Sequence, residues 1–275
     1  EWALVNSAPP RPRLVFSPAN SSVAWAGRLP ACLMGGNDEP MFKSNNGGQS
    51  WAELPAGLNL QPIAAHPSDA NRVYALGCDG PYLSSDGGAT WQLQDAALWH
   101  LYFVADIAPV DPAWTTVFAG GVSEGGGGMV ARSIDGGQTW QQVTPLYADI
   151  WWVTDVWVDP TNPQRIYFLE PNGVWRSSDG GGVWQRFTAG LEDVLYQDGR
   201  PVYGLFEVVS RLDDPSRLYL GTAAGLYESL DYGVTWHKRS GYAWDHQLVD
   251  GLLAEGASGL WLHSPEGVFY LAHGA

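Results

Sequence analysis

Runs of alternating β-branched and aromatic residues recur along the whole chain and are separated by turns rich in Gly, Pro, Asp and Asn. In one repeat, the apolar residues Pro81–Leu83 precede a polar turn, and an apolar strand resumes at Trp91. Apolar alternation bounded by turn residues is typical of antiparallel hairpins. The pattern therefore predicts many short β-strands and few helices.

One turn sequence is repeated five times. The copies are SNNGGQSW at 44–51, SSDGGATW at 84–91, SIDGGQTW at 133–140, SSDGGGVW at 177–184 and SLDYGVTW at 229–236. Their Asp or Asn positions, 46, 86, 135, 179 and 231, are separated by 40, 49, 44 and 52 residues. Spacing in this range indicates a stacked or radial repeat architecture.

Each copy has the composition of a tight turn inside a hairpin. The Asp side chain is placed to accept hydrogen bonds from its own turn, and the glycines supply positive φ angles. A calcium loop would need further alternating carboxylates and a distal Glu, which these copies lack. We therefore predict a structural role for Ser84, Asp86, Trp91, Ser133, Asp135, Trp140, Ser177, Asp179, Trp184, Ser229, Asp231 and Trp236, and no metal site.

A second repeated phrase lies before each turn, for example VDPTNPQRIY at 158–167 and LDDPSRLY at 212–219. With it, one unit contains four antiparallel strands, which is typical of a propeller blade. We predict a single all-β domain over 1–275, a six-bladed β-propeller with blades near 12–54, 60–94, 101–143, 151–187, 202–239 and 248–275 plus 1–6. In this prediction Trp2–Val5 completes the last blade, closes the ring and removes an exposed sheet edge.

The five turn sequences resemble the Asp-box, or bacterial neuraminidase repeat, with the pattern S-x-D-G-x-x-T/S-W. This repeat occurs in sialidases, xyloglucan-active glycosidases, sortilin-type receptors and photosystem II assembly propellers. The resemblance implies a β-propeller in which the box lies at the blade periphery, away from the working face. It implies a fold more strongly than a function.

Charge and composition exclude several function classes. The net charge is −15, and Lys43 and Lys238 are the two lysines among 275 residues. Nucleic acid requires a basic face, so it is not an expected partner. No apolar run approaches the length of about 20 residues that spans a membrane. No cofactor motif is present. A first residue other than Met indicates either a mature exported protein, extracellular or periplasmic, or a trimmed chain.

The loops at the end of each blade opposite the repeated turn vary in length and sequence, and such loops usually carry binding functions. Those loops contain aromatic side chains beside carboxylates, which suit sugar rings or a protein partner. The candidate ligand-binding residues are Trp99, His100, Tyr147, Trp151, Trp152, Glu170, Tyr196, Trp244, Asp245 and His246.

Two functional hypotheses follow. The leading one is a non-catalytic binding or assembly module whose variable loops bind a protein partner or a carbohydrate. The alternative is a glycoside hydrolase, either sialidase-like or with two carboxylates such as Asp149 and Asp245. Arg28 matches the arginine of the sialidase R-I-P motif, but it follows the second strand of its unit instead of preceding the first.

Overall fold

The computed structural model shows an all-β protein whose described strands form six antiparallel sheets of three or four strands, which we call blades 1 to 6 in chain order, and one two-stranded sheet. The structure describes residues 13–27, 40–55, 60–77, 80–94, 103–111, 113–122, 127–145, 150–197, 200–201, 204–211, 213–240, 247–249, 251–255, 259–265 and 267–272. The predicted fold class, an all-β six-bladed β-propeller, is confirmed. The predicted closing strand Trp2–Val5 lies outside the described residues.

The strands of each blade follow one another in the sheet in chain order. Blade 1 contains β1 (Arg13–Phe16), β2 (Ala24–Gly27), β3 (Phe42–Ser44) and β4 (Ala52–Glu53). Blade 2 contains β5 (Gln61–Ala65), β6 (Val73–Gly77), β7 (Gly80–Ser84) and β8 (Gln92–Leu93). Blade 3 contains β9 (Phe103–Pro109), β10 (Val117–Val122), β11 (Gly128–Ser133) and β12 (Gln141–Gln142).

The second half of the chain repeats this arrangement. Blade 4 contains β13 (Asp155–Val158), β14 (Ile166–Glu170), β15 (Gly173–Ser177) and β16 (Trp184–Phe187). A short helix, α1 (Glu192–Leu195), and a small hairpin, β17 (Tyr196–Gln197) with β18 (Arg200–Pro201), precede the next blade. Blade 5 contains β19 (Leu205–Ser210), β20 (Leu218–Thr222), β21 (Gly225–Ser229) and β22 (His237–Lys238). In blade 6, the described strands are β23 (Gly251–Glu255), β24 (Gly259–Ser264) and β25 (Gly267–Ala272).

The second strand of each of the first five blades is buried along its whole length, whereas the outermost strands β4 and β12 are exposed. A strand covered on both faces must be apolar on both faces, and for this reason sequences such as VYALG and IYFLE show no polar alternation. The core is therefore densest at the second strands.

The chain divides into two compact units. The first contains Glu1–Gly126 with Ala131–Gln142, and the second contains Gly127–Val130 with Val143–Ala275. A core cluster of the first unit includes Trp25, Leu60, Val73 and Tyr82, and one of the second includes Tyr167 and Trp236. The single domain over 1–275 stays a prediction. None of the described helices is long and apolar enough to cross a membrane.

Candidate functional site

The two ends of a blade differ in the chemistry that they present. In blade 4, Ile166 pairs with Ser177 at one end of β14, and Glu170 pairs with Gly173 at the other. We call the end with Ser177–Trp184 the turn end of the blade. The opposite end, with Glu170–Gly173 and the incoming segment Trp151–Thr154, is the loop end. The same terms apply to the other blades.

At the turn end, each repeated turn is held by a local network of hydrogen bonds. The Ser84 hydroxyl donates to Asp86 Oδ1 at 2.8 Å and accepts from the Gly88 amide at 2.8 Å. The Thr90 amide donates to Asp86 Oδ1 at 2.9 Å, and the Thr90 hydroxyl donates to Oδ2. Gly87 and Gly88 have φ angles of 76° and 96°, which glycine adopts without strain.

These hydrogen bonds stabilise the charged form of the turn carboxylate. The Thr90 hydroxyl, followed by the Thr90 amide, lowers the pKa of Asp86 to about 2. The Thr139 hydroxyl lowers the pKa of Asp135 in the same way, and the Val183 amide lowers that of Asp179. The carboxylates thus bind their own turns. Over the described part of the chain, no group of three or more His, Cys, Asp or Glu residues is arranged to hold a metal ion.

The turn tryptophans have different partners. The indole nitrogens of Trp91 and Trp140 donate to the carbonyl oxygens of Gly88 and Gly137, inside their own turns, at 3.1 Å and 2.9 Å. Trp184 donates instead to Val143 O at 2.8 Å, and this bond ties blade 4 to the segment that follows β12. The turn end therefore consists of structural contacts.

At the loop end of blade 4, two adjacent tryptophans differ in exposure. Trp151 is 56% exposed, whereas Trp152 is partly buried. Their segment is fixed on both sides, because the Gly128 amide donates to Ile150 O at 2.7 Å and the Thr154 amide donates to Leu169 O at 3.0 Å. A large aromatic surface is thus exposed to solvent on a segment that is hydrogen-bonded at both ends.

Glu170 lies at this same end but is 1% exposed. Trp175 Nε1 donates to its Oε1 at 3.2 Å, and its buried Oε2 has no hydrogen-bond donor among the described residues. Burial raises the pKa of Glu170. Hydrogen bonds from Trp175 and Asn172 and the charge of Arg186 lower this pKa by less, so the net shift is upward. Glu170 was expected at a binding surface, but its side chain lies within the blade.

Two carboxylates at the loop end, one in the first strand of blade 4 and one in the first strand of blade 5, join neighbouring blades. Asp155 Oδ2 accepts from the Val208 amide at 2.9 Å, and Glu207 Oε2 accepts from the Leu252 amide at 2.7 Å. Sequence reasoning missed Glu207. Its place in the repeat could have indicated it, because Glu207 occupies the position in the first strand of blade 5 that Asp155 occupies in the first strand of blade 4.

The remaining predicted residues are less fully described. Tyr196 lies in strand β17, and its side chain is outside the described part of the structure. The other candidates lie outside the described residues: Trp99, His100, Tyr147, Asp149, Trp244, Asp245 and His246. Their assignment as ligand-binding or catalytic residues stays a prediction. The described part of the site consists of Trp151, Trp152 and the two first-strand carboxylates, Asp155 and Glu207.

Comparisons with known proteins relate the chain to xyloglucanases. No model of a protein family matches it. A xyloglucanase from Paenibacillus is 28% identical over 174 residues, which cover 52% of this chain and 17% of that protein. The chain thus matches a small part of the curated relative's length.

Solved structures show the fold. A GH74 xyloglucanase from Xanthomonas campestris superposes on 94% of this chain with a TM-score of 0.72 at 16% identity, over 44% of its own length. YCF48 from Cyanidioschyzon merolae superposes on 94% of this chain with a TM-score of 0.64 at 14% identity, over 81% of its own length. At these identities the similarity establishes a β-propeller.

The comparisons correct the leading functional hypothesis. A non-catalytic binding or assembly module is wrong as the first interpretation, because the curated relative that shares half of the chain is a xyloglucanase. The alternative, a glycoside hydrolase, is the better supported. The error has a physical cause: the repeated turns dominate the sequence, but they lie at the turn end, where they stabilise the blade. Their pattern does not distinguish an enzyme from a binding protein.

Proposed function

We propose that the chain is the propeller of a glycoside hydrolase that acts on a β-glucan chain such as xyloglucan. The observation that carries this proposal is the 28% identity to a xyloglucanase over 174 residues. Because the chain matches 17% of that relative, the activity and the substrate are both part of the proposal.

The loop end of blade 4 supports glycan binding. Trp151 is 56% exposed on a segment fixed by backbone hydrogen bonds, so its ring is presented without a large cost in conformational entropy. The CH face of a glucose ring stacks on an indole, while the sugar hydroxyls require polar groups at the edge. We assign Trp151 as a stacking platform for one glucose unit of the backbone.

Hydrolysis requires two carboxyl groups, one as general acid and the other as base or nucleophile. Asp155 and Glu207 each accept a backbone hydrogen bond from the next blade, which favours a structural role for both. We propose Asp149 and Asp245 for the chemistry, because they lie in the segments that precede blades 4 and 6 and therefore in loop-end sequence.

Two further assignments belong to this proposal. We assign the five repeated turns to the Asp-box family, and the identical Ser–Asp–Gly hydrogen bonds at Ser84, Ser133, Ser177 and Ser229 support that assignment. We also propose that the protein is exported, as expected of an enzyme that acts on a polymeric glycan too large to enter a cell.

The proposal is tested by incubating the purified chain with xyloglucan and measuring reducing ends. We expect hydrolysis, and we expect Trp151→Ala to raise KM about tenfold or more, as for the loss of an aromatic binding anchor. Val183→Ala is the matched control, because Val183 is 70% exposed at the turn end of the same blade. Absence of both hydrolysis and binding of xyloglucan would refute the proposal.

A further inference from the structure

The repeated turn of blade 4 departs from the other four copies at two positions. Its sixth residue is Gly182, where the other copies have Gln49, Ala89, Gln138 and Val234. Its seventh residue is Val183, where the other copies have Ser50, Thr90, Thr139 and Thr235. Both changes alter the surroundings of the Asp179 carboxylate, because the amides of Gly182 and Val183 donate to it.

The Asp179 carboxylate uses one of its two oxygens within the turn. Its Oδ1 accepts from the Ser177 hydroxyl at 2.7 Å, the Gly182 amide at 3.0 Å and the Val183 amide at 2.9 Å. In blades 2, 3 and 5 a threonine hydroxyl donates to the Oδ2 of the equivalent aspartate. In blade 4 no described residue donates to Asp179 Oδ2. This oxygen is therefore an acceptor that the turn leaves available.

Gly182 leaves the second oxygen uncovered. A Cβ atom there would lie 3.0 Å from Asp179 Oδ2, so a side chain at this position would crowd the oxygen. Backbone conformation does not require glycine at position 182, since Gly182 is absent from the described residues that have positive φ angles. Gly180 and Gly181 are different, because their φ angles are 75° and 90°.

Asp179 lines a surface cavity of about 220 Å³ together with Arg176, Ser178, Val183 and Gln185. All of these residues except Arg176 are exposed, so solvent reaches the cavity. Its volume is below the roughly 300–1,000 Å³ of sites for drug-sized molecules, and it therefore suits a small ligand. The lining offers a carboxylate, a guanidinium, a hydroxyl, an amide and one aliphatic group.

Arg176 supplies the positive charge of the cavity and is held in position. Its Nη1 donates to Tyr232 O, in the repeated turn of blade 5, at 2.7 Å. The guanidinium carbon also lies 4.6 Å from the centre of the Phe187 ring. A guanidinium has several further N–H donors. Arg176 can therefore bind an acceptor group of a ligand while it keeps both of these contacts.

We propose that this cavity binds a free α-amino acid with an aliphatic side chain. The ammonium group of the ligand donates to Asp179 Oδ2, and its carboxylate accepts from Arg176. Both hydrogen bonds are charge-assisted, which makes them stronger than bonds between neutral groups. The site lies at the turn end of blade 4 and is separate from the glycan-binding loop end, so it goes beyond the proposed function.

The two charges of the cavity select a ligand that carries both. The Val183 amide lowers the pKa of Asp179, so this carboxylate is charged at neutral pH. A purely anionic ligand would leave Asp179 unpaired and would meet the net charge of −15 on the chain. A purely cationic ligand would leave Arg176 unpaired. Val183 is 70% exposed, and its methyl groups offer a contact to an aliphatic side chain.

The test is isothermal titration calorimetry with three probes of similar shape: L-leucine, L-leucinamide and N-acetyl-L-leucine. Leucinamide lacks the carboxylate, and N-acetyl-leucine lacks the ammonium group. We expect L-leucine to bind and each of the other two to bind about tenfold or more weakly, the loss typical of one hydrogen bond between charged groups.

Two variants remove the free acceptor without disturbing the turn. Asp179→Asn replaces Oδ2 by an amide nitrogen, and blade 1 shows that asparagine fits, because Asn46 Oδ1 accepts the same bonds there. Val183→Thr provides the hydroxyl that occupies the equivalent oxygen of Asp135 in blade 3. Each variant should weaken leucine binding about tenfold or more. Asp135→Asn is the matched control and should bind leucine as the wild type does.

Thermal melting of each variant shows that it is folded, and Val183→Thr tests the site even if Asp179→Asn unfolds. Absence of leucine binding by the wild-type chain, or unchanged binding in Val183→Thr, would overturn the site. Equal binding of leucinamide or N-acetyl-leucine would overturn the assigned ligand class. None of these outcomes bears on the hydrolysis of xyloglucan, so the proposed function is tested separately.

Discussion

The Tyr74 hydroxyl donates a 2.6 Å hydrogen bond to the carbonyl oxygen of Gly136, which lies in the repeated turn of the next blade. The same relationship occurs twice more. Trp25 Nε1 donates to Gly87 O at 3.0 Å, and the Tyr167 hydroxyl donates to Tyr232 O at 3.1 Å. In each case an aromatic residue at the second position of a second strand binds the turn of the following blade. The repeated turn is therefore a connection between blades as well as a local turn.

Tyr74→Phe removes one such connection. The Gly136 carbonyl would lose the buried Tyr74 hydroxyl as a donor, and we expect the free energy of unfolding to fall by about 1–2 kcal/mol. Denaturant-induced unfolding measures the change. Tyr270→Phe is the matched control, since Tyr270 is 41% exposed. Equal losses in the two variants would contradict a specific role for the Tyr74 hydroxyl.

Val183→Thr restores a hydrogen bond that blade 4 lacks. The threonine hydroxyls at 90, 139 and 235 donate to the Oδ2 atoms of Asp86, Asp135 and Asp231, but residue 183 is a valine. We expect only a small rise in the melting temperature, because the site is exposed and water competes for the same hydrogen bonds. Melting curves of Val183→Thr and Val183→Ala separate the added hydroxyl from the lost methyl groups. The hydroxyl is unimportant if the two variants melt alike.

Glu170→Gln changes the dependence of stability on pH. Burial raises the pKa of Glu170 above its ordinary value, so the folded protein holds this proton more tightly than the unfolded chain does. The stabilisation is complete below the unfolded pKa near 4.5 and is lost as pH rises through the folded pKa. A glutamine side chain at this position does not titrate. We therefore expect the variant to equal the wild type near pH 4 and to exceed it at pH 8.

Unfolding by denaturant at pH 4 and pH 8 measures this difference. Glu53→Gln is the control, because it makes the same change at a residue that is exposed in β4. A parallel pH dependence in the wild type and Glu170→Gln would show that Glu170 is not the titrating group.

Asp149→Asn and Asp245→Asn test the proposed chemistry. If these residues are the acid and the base, each change should lower kcat on xyloglucan by about 100-fold or more. Asp193→Asn is the control, since Asp193 is an exposed acid of α1. Initial rates across a range of substrate concentrations separate kcat from KM. Full activity in either Asn variant would exclude that residue from catalysis.

The sequence by itself determined the repeated turns and the number of blades. The contacts of Ser84, Asp86 and Thr90 all lie within four residues of one another, so the residue order fixes them. Strand alternation and turn spacing are likewise local, and the repeat of four strands identifies a blade without knowledge of its neighbours. The fold class was therefore predictable from the chain alone.

Tertiary structure alone decided the chemistry of the loop end. Glu170 is the last residue of the apolar strand β14, and its carboxyl group is buried beside the indole nitrogen of Trp175. Glu207 binds the amide of Leu252, 45 residues away, and Asp155 binds the amide of Val208, 53 residues away. These contacts join different strands and blades. Burial and proximity of this kind arise when the blades pack together, and no local pattern in the sequence encodes them.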